Sequence, residues 1–324
     1  MAYAPMKPLH RVSTRDLEIG YYDVGSGPAV VLLHGFPYDI HAYTEVTPLL
    51  VEHGLRVVVP YLRGCGATRF LRPGTPRSAA PSAFAADLVG LLDALRLDHA
   101  VLAGFDWGGR TAYASAALWP RRCAGLVISG SYLKHRQGHA TGLAEARREC
   151  ALWYQYYFLT ERGRAGLITN RRAIAELLWR QWSPGWQFTA AEFERTAEAF
   201  DNPDWVDIAL HNYRHRLAGA EADPQHAELA RRLEAAGPIT APAITLDGAS
   251  HGVDSVPEGG QAWEPHFAGA WAHRLVPAAG HNIPQEQPGA FADAVLAVTK
   301  GQLASPLTSH PSALPQAREF GWPA

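Results

Sequence analysis

Three things are scarce in this chain of 324 residues, and each scarcity excludes a class of protein. Only three cysteines occur, widely spaced and odd in number, which argues against a disulfide framework and favours a reducing, cytoplasmic location. No apolar run reaches the length of about 18 residues that a membrane span requires. Net charge is also small: Lys and Arg number 29 against 31 Asp and Glu, which leaves a formal charge of −2. We therefore expect no nucleic acid as a partner, and the lack of a long apolar run leads us to expect no membrane either.

The first part of the chain alternates short apolar runs with segments of helical spacing. Strands are predicted at residues 17–24, 29–33, 55–60, 100–105 and 126–129, and helices at residues 84–95 and 110–118. Apolar runs without alternation are typical of strands that are buried on both faces. The order of these elements predicts a parallel, doubly wound sheet.

This alternation stops after Gly130 and resumes late in the chain. The intervening residues are rich in Arg, Glu, Ala, Trp and Tyr and contain no good strand, which predicts a helical insertion. Strands return at residues 243–246 and 273–276, before a last core helix at residues 290–299. We therefore predict core segments at residues 1–131 and 239–304, a helical cap at residues 132–238 and an extended tail at residues 305–324.

The segment Gly104-Phe-Asp-Trp-Gly108 lies between a predicted buried strand and a predicted helix. Its spacing is that of the nucleophile elbow, with Asp106 in the usual place of serine. Small flanking residues let strand and helix approach, and the side chain is then exposed at the carboxyl end of the sheet. A carboxylate attacks saturated carbon more readily than an ester carbonyl, so an epoxide or alkyl halide is the expected substrate.

Two further segments supply partners for such a nucleophile. His34-Gly-Phe-Pro37 follows a strand, so the backbone N–H groups of Phe36 and Trp107 are predicted to form an oxyanion hole. His281 follows the last strand on a glycine-containing loop and is the predicted general base, which activates water against the Asp106 ester. We interpret His34 as structural.

The acid that would orient His281 is harder to assign. It should follow the strand at residues 243–246, where Asp247 ends the apolar run. Asp247 is the preferred candidate, although its place beside Gly248 also suits a simple turn. Asp254, further along the same loop, is the alternative.

Taken together, these residues resemble the epoxide hydrolase and haloalkane or haloacetate dehalogenase branch of the α/β-hydrolase superfamily. The matching segments are His34-Gly-Phe-Pro37, Leu62-Arg-Gly-Cys-Gly66, Gly104-Phe-Asp-Trp-Gly-Gly109 and Gly280-His-Asn282. The resemblance covers residues 17–300. It implies an α/β-hydrolase fold, in which a mostly parallel, doubly wound sheet carries an inserted helical cap domain.

The cap segment resembles soluble epoxide hydrolases in two places. Trp153-Tyr-Gln-Tyr-Tyr-Phe158 is similar to a cap helix in which a tyrosine followed by glutamine faces the nucleophile, and Asn212-Tyr-Arg214 is similar to a second tyrosine motif. The resemblance implies that Tyr154 and Tyr213 hydrogen-bond the epoxide oxygen and that Gln155 lies at the substrate. A phenol suits this role because epoxide opening creates an alkoxide that needs a proton.

Two departures from the family pattern, and the register of the cap helix, keep alternatives open. The usual place of the acid, three residues after Gly248, is occupied by His251. Trp107 stands where defluorinating relatives have an arginine, although Arg110 follows, and Trp107 itself suits a halide. Tyr156 or Tyr157 replaces Tyr154 if the cap helix has a different register.

We therefore expect an enzyme that opens an epoxide to a vicinal diol through an Asp106 ester, without metal or organic cofactor. The Trp-rich and Tyr-rich insertion predicts an apolar pocket for a small apolar or aromatic substrate. The alternatives are a dehalogenase with the same nucleophile, and a non-hydrolytic relative that binds a ligand or tailors a natural product. A homodimer is compatible with the sequence.

Overall fold

The computed structural model describes residues 6–130, 146–253 and 263–303. Nine strands form one sheet in the order β1-β2-β4-β3-β6-β7-β8-β9, and β5 pairs with β2. The strands are β1 (His10–Ser13), β2 (Leu17–Val24), β3 (Ala29–Leu33), β4 (Arg56–Pro60), β5 (Arg69–Phe70), β6 (Ala100–Phe105), β7 (Cys123–Ser129), β8 (Ala243–Gly248) and β9 (Trp271–Val276).

Six neighbouring strands of the sheet run parallel, in the order β4, β3, β6, β7, β8 and β9. Strands β1, β2 and β5 add an antiparallel edge. All six residues of β6 are buried, so helices cover both faces of the sheet at this strand. The core helices are α1 (Val46–Glu52), α2 (Pro81–Ala94), α3 (Trp107–Leu118), α10 (Ile283–Glu286) and α11 (Pro288–Thr299). In this architecture the loops at the carboxyl ends of β3, β6, β8 and β9 meet at one edge, where the site lies.

The helices between β7 and β8 occupy the place of the predicted cap. They are α4 (Ala146–Ala151), α5 (Trp153–Tyr157), α6 (Glu161–Trp182), α7 (Ala190–Ala197), α8 (Trp205–Ala218) and α9 (Ala227–Glu234). From residue 146 to residue 234 the chain forms helices and no strand. The last of them, α9, packs against α2 and α3, so it lies on the core although the sequence places it in the cap.

Aromatic side chains connect the cap helices to the core. Trp179 of α6 is fully buried, donates from Nε1 to the carbonyl oxygen of Pro37 at 3.0 Å and stacks on Tyr38 with ring centroids 4.8 Å apart. Because these contacts end at the loop after β3, the cap is fixed directly above the carboxyl edge of the sheet. Among the helices in the described ranges, none has the length and apolarity needed to cross a bilayer.

Candidate active site

Asp106 occupies a strained turn between β6 and α3. Its backbone has φ 51° and ψ −120°, a conformation that non-glycine residues rarely adopt. The turn is tight enough to need glycine beside it, since a Cβ on Gly108 would lie 1.9 Å from the carbonyl oxygen of Leu33. A Cβ on Gly104 would in turn lie 2.5 Å from the carbonyl carbon of Gly108. Strand and helix approach through these two glycines, as the sequence predicts.

Three groups from separate parts of the chain face the Asp106 carboxylate. The backbone N–H of Phe36 donates to Oδ1 at 2.9 Å, and Nη2 of Arg110 donates to Oδ2 at 3.2 Å. Nε2 of His281 lies 3.7 Å from the same Oδ2. The Asp106 residue is only 9% exposed, so these contacts act in a region that holds little water.

The loop after β3 brings Phe36 to this position. The Phe36–Pro37 peptide bond is cis, and the Phe36 ring stacks on Trp107 with centroids 4.9 Å apart. His34 accepts a hydrogen bond on Nε2 from the backbone N–H of Leu62 at 3.1 Å, and burial lowers the pKa of its imidazole. Its role is therefore to hold the loop, in line with our structural interpretation.

Trp107 opens α3 directly after the nucleophile, which places its backbone N–H at the helix N-terminus beside Asp106. Its indole Nε1 is buried and has no hydrogen-bond partner within the part of the chain that the structure describes. A ligand with an electronegative atom can accept from this group.

A buried polar cluster holds the loop that carries His281. The hydroxyl of Ser183, which ends α6, accepts from the backbone N–H of His281 at 3.0 Å and donates to Glu286 at 2.6 Å. Glu286 also accepts from the backbone N–H groups of Gly280 and Asn282, at 2.7 and 2.9 Å. Burial raises the pKa of the Glu286 carboxyl, while these hydrogen bonds act in the opposite direction. Sequence reasoning missed this cluster because Ser183 and Glu286 carry no motif.

The Nδ1 atom of His281 lies beside a second histidine. Nδ1 of His281 lies 3.0 Å from Nε2 of His251, whose side chain therefore stands where the acid was expected. Asp247 accepts instead from Nε1 of Trp263 at 2.8 Å and lies 3.9 Å from Nε2 of His273. Asp247 ends β8, and its role as the acid that orients His281 stays a prediction from the sequence. The alternative acid, Asp254, lies outside the described residues.

Tyr154 and Tyr213 lie together on the cap side of the nucleophile. Their rings meet edge to face with centroids 5.5 Å apart, and Tyr213 also packs on Phe36 and Trp107 at 5.8 and 6.2 Å. Gln155 donates from Nε2 to the Tyr154 hydroxyl at 3.1 Å and accepts from Arg216 at 2.7 Å.

Both tyrosines are held in the protonated state. Burial raises the pKa of Tyr154 to about 12, against the hydrogen bond from Gln155 and the charge of Arg216. Burial raises the pKa of Tyr213 well above its ordinary value, and the adjacent Tyr154 and Asp106 act in the same direction. In the alternative register of the cap helix, Tyr156 would take the place of Tyr154. In the structure Tyr156 is instead 53% exposed and donates to Glu149.

In the described ranges, no three His, Cys, Asp or Glu side chains are grouped as metal ligands. The site offers a buried carboxylate, an imidazole, backbone N–H donors and two phenols. This set suits attack at saturated carbon followed by hydrolysis of an ester.

Comparison with known proteins places this geometry in a family. The model of the alpha/beta hydrolase fold family matches residues 28–201, which is more than half of the chain. The chain belongs to the α/β-hydrolase fold family. The fold and the resemblance that were inferred from the motifs are thereby confirmed.

The relatives of this α/β-hydrolase are epoxide hydrolases. A solved structure of a candidate epoxide hydrolase from Klebsiella pneumoniae is 46% identical, covers 93% of this chain and 100% of that chain, and superposes with a TM-score of 0.88. Epoxide hydrolase A of Mycobacterium tuberculosis is 26% identical over 90% of this chain and 96% of its own length. Epoxide hydrolase 2 of Siraitia grosvenorii is 38% identical, but the match spans only 36% of the length of each chain.

Proposed function

We propose that this α/β-hydrolase converts an epoxide to a vicinal diol through a covalent ester on Asp106. The observation that carries the proposal is the pair of buried tyrosines beside the nucleophile, with Tyr213 packed on both Phe36 and Trp107. A reaction that creates an alkoxide needs a proton donor at this point, whereas halide departure does not. The epoxide hydrolases among the relatives agree with this assignment.

In the first step, Oδ2 of Asp106 attacks an epoxide carbon and the carbon–oxygen bond of the ring breaks. The electron pair of that bond passes to the ring oxygen, which takes a proton from Tyr154 or Tyr213. Their raised pKa values keep both phenols protonated at neutral pH, ready to donate.

In the second step, water attacks the carbonyl carbon of the Asp106 ester. His281 removes a proton from this water, and the charge that develops on Oδ1 is stabilised by the N–H of Phe36, which already lies 2.9 Å away. The N–H of Trp107, at the start of α3, is the proposed second donor. When the intermediate collapses, the carbon–oxygen bond to the diol breaks and the departing oxygen takes the proton from His281. The proton of the resulting Asp106 carboxylic acid returns to the tyrosine that was deprotonated in the first step, which restores the carboxylate.

The walls of the site indicate the kind of substrate. Phe36, Trp107, Tyr154, Phe158 and Tyr213 pack around the nucleophile through ring contacts of 4.9 to 6.2 Å. We infer a small apolar or aromatic epoxide. A homodimer and a cytoplasmic location stay predictions from the sequence.

One observation favours a second candidate, a dehalogenase with the same nucleophile. Nε1 of Trp107 is a buried donor that has no partner among the described residues, and such an N–H can hold a departing halide. Epoxide opening remains the better supported reaction because a departing halide needs no proton, so dehalogenation gives no role to the two protonated tyrosines.

The test is a trapping experiment with His281→Gln, which keeps the site polar but removes the base. The variant is incubated with styrene oxide and weighed as an intact protein, while the wild type is assayed for diol. We expect an added mass equal to the whole epoxide on the Asp106 peptide, and diol from the wild type. Neither adduct nor diol across a panel of epoxides, with halide released from haloalkanes, would establish the dehalogenase instead.

A further inference from the structure

We propose that Arg216 is a positioning residue that fixes the side-chain amide of Gln155, so that Tyr154 presents its hydroxyl proton to the epoxide oxygen. The proposal rests on the proposed epoxide hydrolase function and concerns only its first step. It follows from two consecutive hydrogen bonds that join the cap helices α5 and α8.

The first bond determines which way the amide of Gln155 faces. The two ends of a glutamine amide have nearly the same shape, but one is an acceptor and the other a donor. Nη2 of Arg216 lies 2.7 Å from Oε1 of Gln155. A guanidinium has five N–H donors and no acceptor, whatever further contacts it makes, so the end of the amide that it meets must be the oxygen.

The second bond transmits that orientation to Tyr154. With Oε1 at Arg216, the amide nitrogen Nε2 faces the Tyr154 hydroxyl at 3.1 Å and donates to it. The phenolic oxygen is then the acceptor, so its own proton is directed elsewhere. No residue in the described ranges accepts that proton, and the charge of Asp106 acts on the same phenol. The proton is therefore available to a ligand held between Tyr154 and the nucleophile.

The opposite orientation of the amide would remove this proton donor. If the amide turned over, Oε1 would accept the Tyr154 proton, and the phenol could no longer give it to the epoxide oxygen. The observed orientation also suits the phenolate that forms when the proton leaves. The N–H of Gln155 already meets the phenolic oxygen, and the positive charge of Arg216 acts in the same direction.

Tyr213 has no corresponding arrangement. It precedes Arg216 by three residues in α8, and the guanidinium carbon lies 5.3 Å from the centre of its ring. No residue in the part of the chain that the structure describes donates to its hydroxyl. An orienting effect of Arg216 on a hydroxyl must therefore pass through Tyr154, which separates it from a merely structural role.

The test is Arg216→Met, which keeps a long, unbranched side chain and removes every donor. Adduct formation with styrene oxide is measured by rapid mixing, quenching and intact-protein mass spectrometry, in the His281→Gln background, where the ester is not hydrolysed. The same substitution is then combined with Tyr154→Phe and, separately, with Tyr213→Phe, which keeps the ring that faces the guanidinium.

We expect Arg216→Met to slow adduct formation about fivefold or more, the effect of about one hydrogen bond, both alone and together with Tyr213→Phe. In Tyr154→Phe no hydroxyl is left to be oriented, so loss of Arg216 should change the rate by less than about twofold. Equal slowing in the two tyrosine backgrounds would overturn the proposal, because Arg216 would then only support the packing of the cap. No slowing in either would overturn it as well.

Arg214→Met is the matched control. Arg214 belongs to the same helix and also joins it to the segment after α5, through the carbonyl oxygen of Phe158 and the carboxylate of Glu161, each at 3.2 Å. Because these contacts do not involve the amide of Gln155, adduct formation should change by less than about twofold. A slowing equal to that of Arg216→Met would contradict a specific role of Arg216.

Gln155→Glu tests the same inference if Arg216→Met does not fold. A carboxylate keeps the partner of Arg216 but can only accept, so it binds the Tyr154 proton and withholds it from the epoxide. We expect adduct formation within about twofold of the Tyr154→Phe rate, and an unchanged rate would overturn the proposal. Failure of the proposed function has a different signature, because then no adduct forms even in His281→Gln alone.

Discussion

The N–H of Phe36 lies 2.9 Å from Oδ1 of Asp106, although 70 positions separate the two residues in the chain. This contact distinguishes the two oxygens of the nucleophile. Oδ1 is held by the backbone donor that would stabilise an oxyanion, while Oδ2 faces Arg110 and His281. In the proposed mechanism Oδ2 is therefore the oxygen that attacks, and Oδ1 becomes the carbonyl oxygen of the ester.

A single turnover in water labelled with oxygen-18 tests whether an oxygen of Asp106 attacks the epoxide. Because the oxygen added to the epoxide comes from Asp106, the first diol released should be unlabelled and the label should appear in the Asp106 peptide. Mass spectrometry of both products measures this, with enzyme in excess over styrene oxide. Label in the first diol would mean that water attacks the epoxide directly, with Asp106 acting only as a base.

Replacing the cap tyrosines by phenylalanine tests the proton donors. We expect Tyr154→Phe and Tyr213→Phe each to slow adduct formation, and the double variant to slow it by about 10²- to 10⁴-fold, because the alkoxide then has no donor. Adduct formation is followed in the His281→Gln background, where the ester is not hydrolysed. Tyr156→Phe is the matched control, since Tyr156 belongs to the same helix but is 53% exposed, and it should change nothing.

The pH dependence of adduct formation follows from the same side chains. An ordinary tyrosine loses its proton near pH 10, whereas the pKa of Tyr154 is raised to about 12 and that of Tyr213 is raised as well. A raised pKa keeps the donor protonated to higher pH, so the rate should not fall between pH 8 and about pH 10. A decline centred near pH 10 would show that neither buried phenol supplies the proton.

Stability should decrease at higher pH, between about pH 10 and pH 12, with a sign set by the direction of the pKa shift. The folded protein binds the tyrosine proton more tightly than the unfolded chain, so this contribution is complete below the unfolded pKa near 10. It is then lost as the pH rises from there toward 12. Tyr154→Phe should flatten the decrease of the unfolding free energy in denaturant titrations above pH 10.

Local patterns in the sequence were sufficient for the central sheet and for the strained turn at Asp106. The predicted strand at residues 100–105 matches β6, and Asp106 takes the strained turn that its flanking glycines permit. The edge strands β1 and β5 were missed because they are short, β1 carries polar residues, and both depend on pairing with β2. Edge pairing is a tertiary effect that apolar periodicity does not report.

The orientation of His281 was beyond sequence reasoning for a different reason. His251 was recognised as the residue at the usual place of the acid, but a histidine there was interpreted as a gap to be filled from elsewhere. Only the coordinates show that one ring nitrogen of His251 meets Val253 and the other meets His281. Likewise, Ser183 and Glu286 become partners of the His281 loop only when α6 folds over the core.

The tightness of the elbow predicts opposite effects for two glycine substitutions. Gly108→Ala places a Cβ 1.9 Å from the Leu33 carbonyl oxygen, so the strand and helix must separate, at a cost of about 1–3 kcal/mol or more in unfolding free energy. Gly90→Ala in α2 meets only Thr14 at 3.4 Å, an ordinary contact, and should stabilise the helix by about 0.5–1 kcal/mol. Urea titrations of both variants measure the difference, and equal stabilities would contradict the observed approach of β3 and α3.

The variant Asp247→Asn tests whether Asp247, which the sequence favours, orients His281, beside which the structure places His251. The Asn side chain keeps an oxygen that can accept from Nε1 of Trp263, so the fold should be retained. Because Nδ1 of His281 is bound by His251 rather than Asp247, the rate of adduct loss should stay within about twofold of the wild type. Rapid mixing with styrene oxide, followed by quenching and intact-protein mass spectrometry, measures this rate. Thermal unfolding checks that the variant is folded. An adduct that accumulates in Asp247→Asn as it does in His281→Gln would return Asp247 to the triad, because only loss of the orienting charge would then explain the failure to hydrolyse the ester.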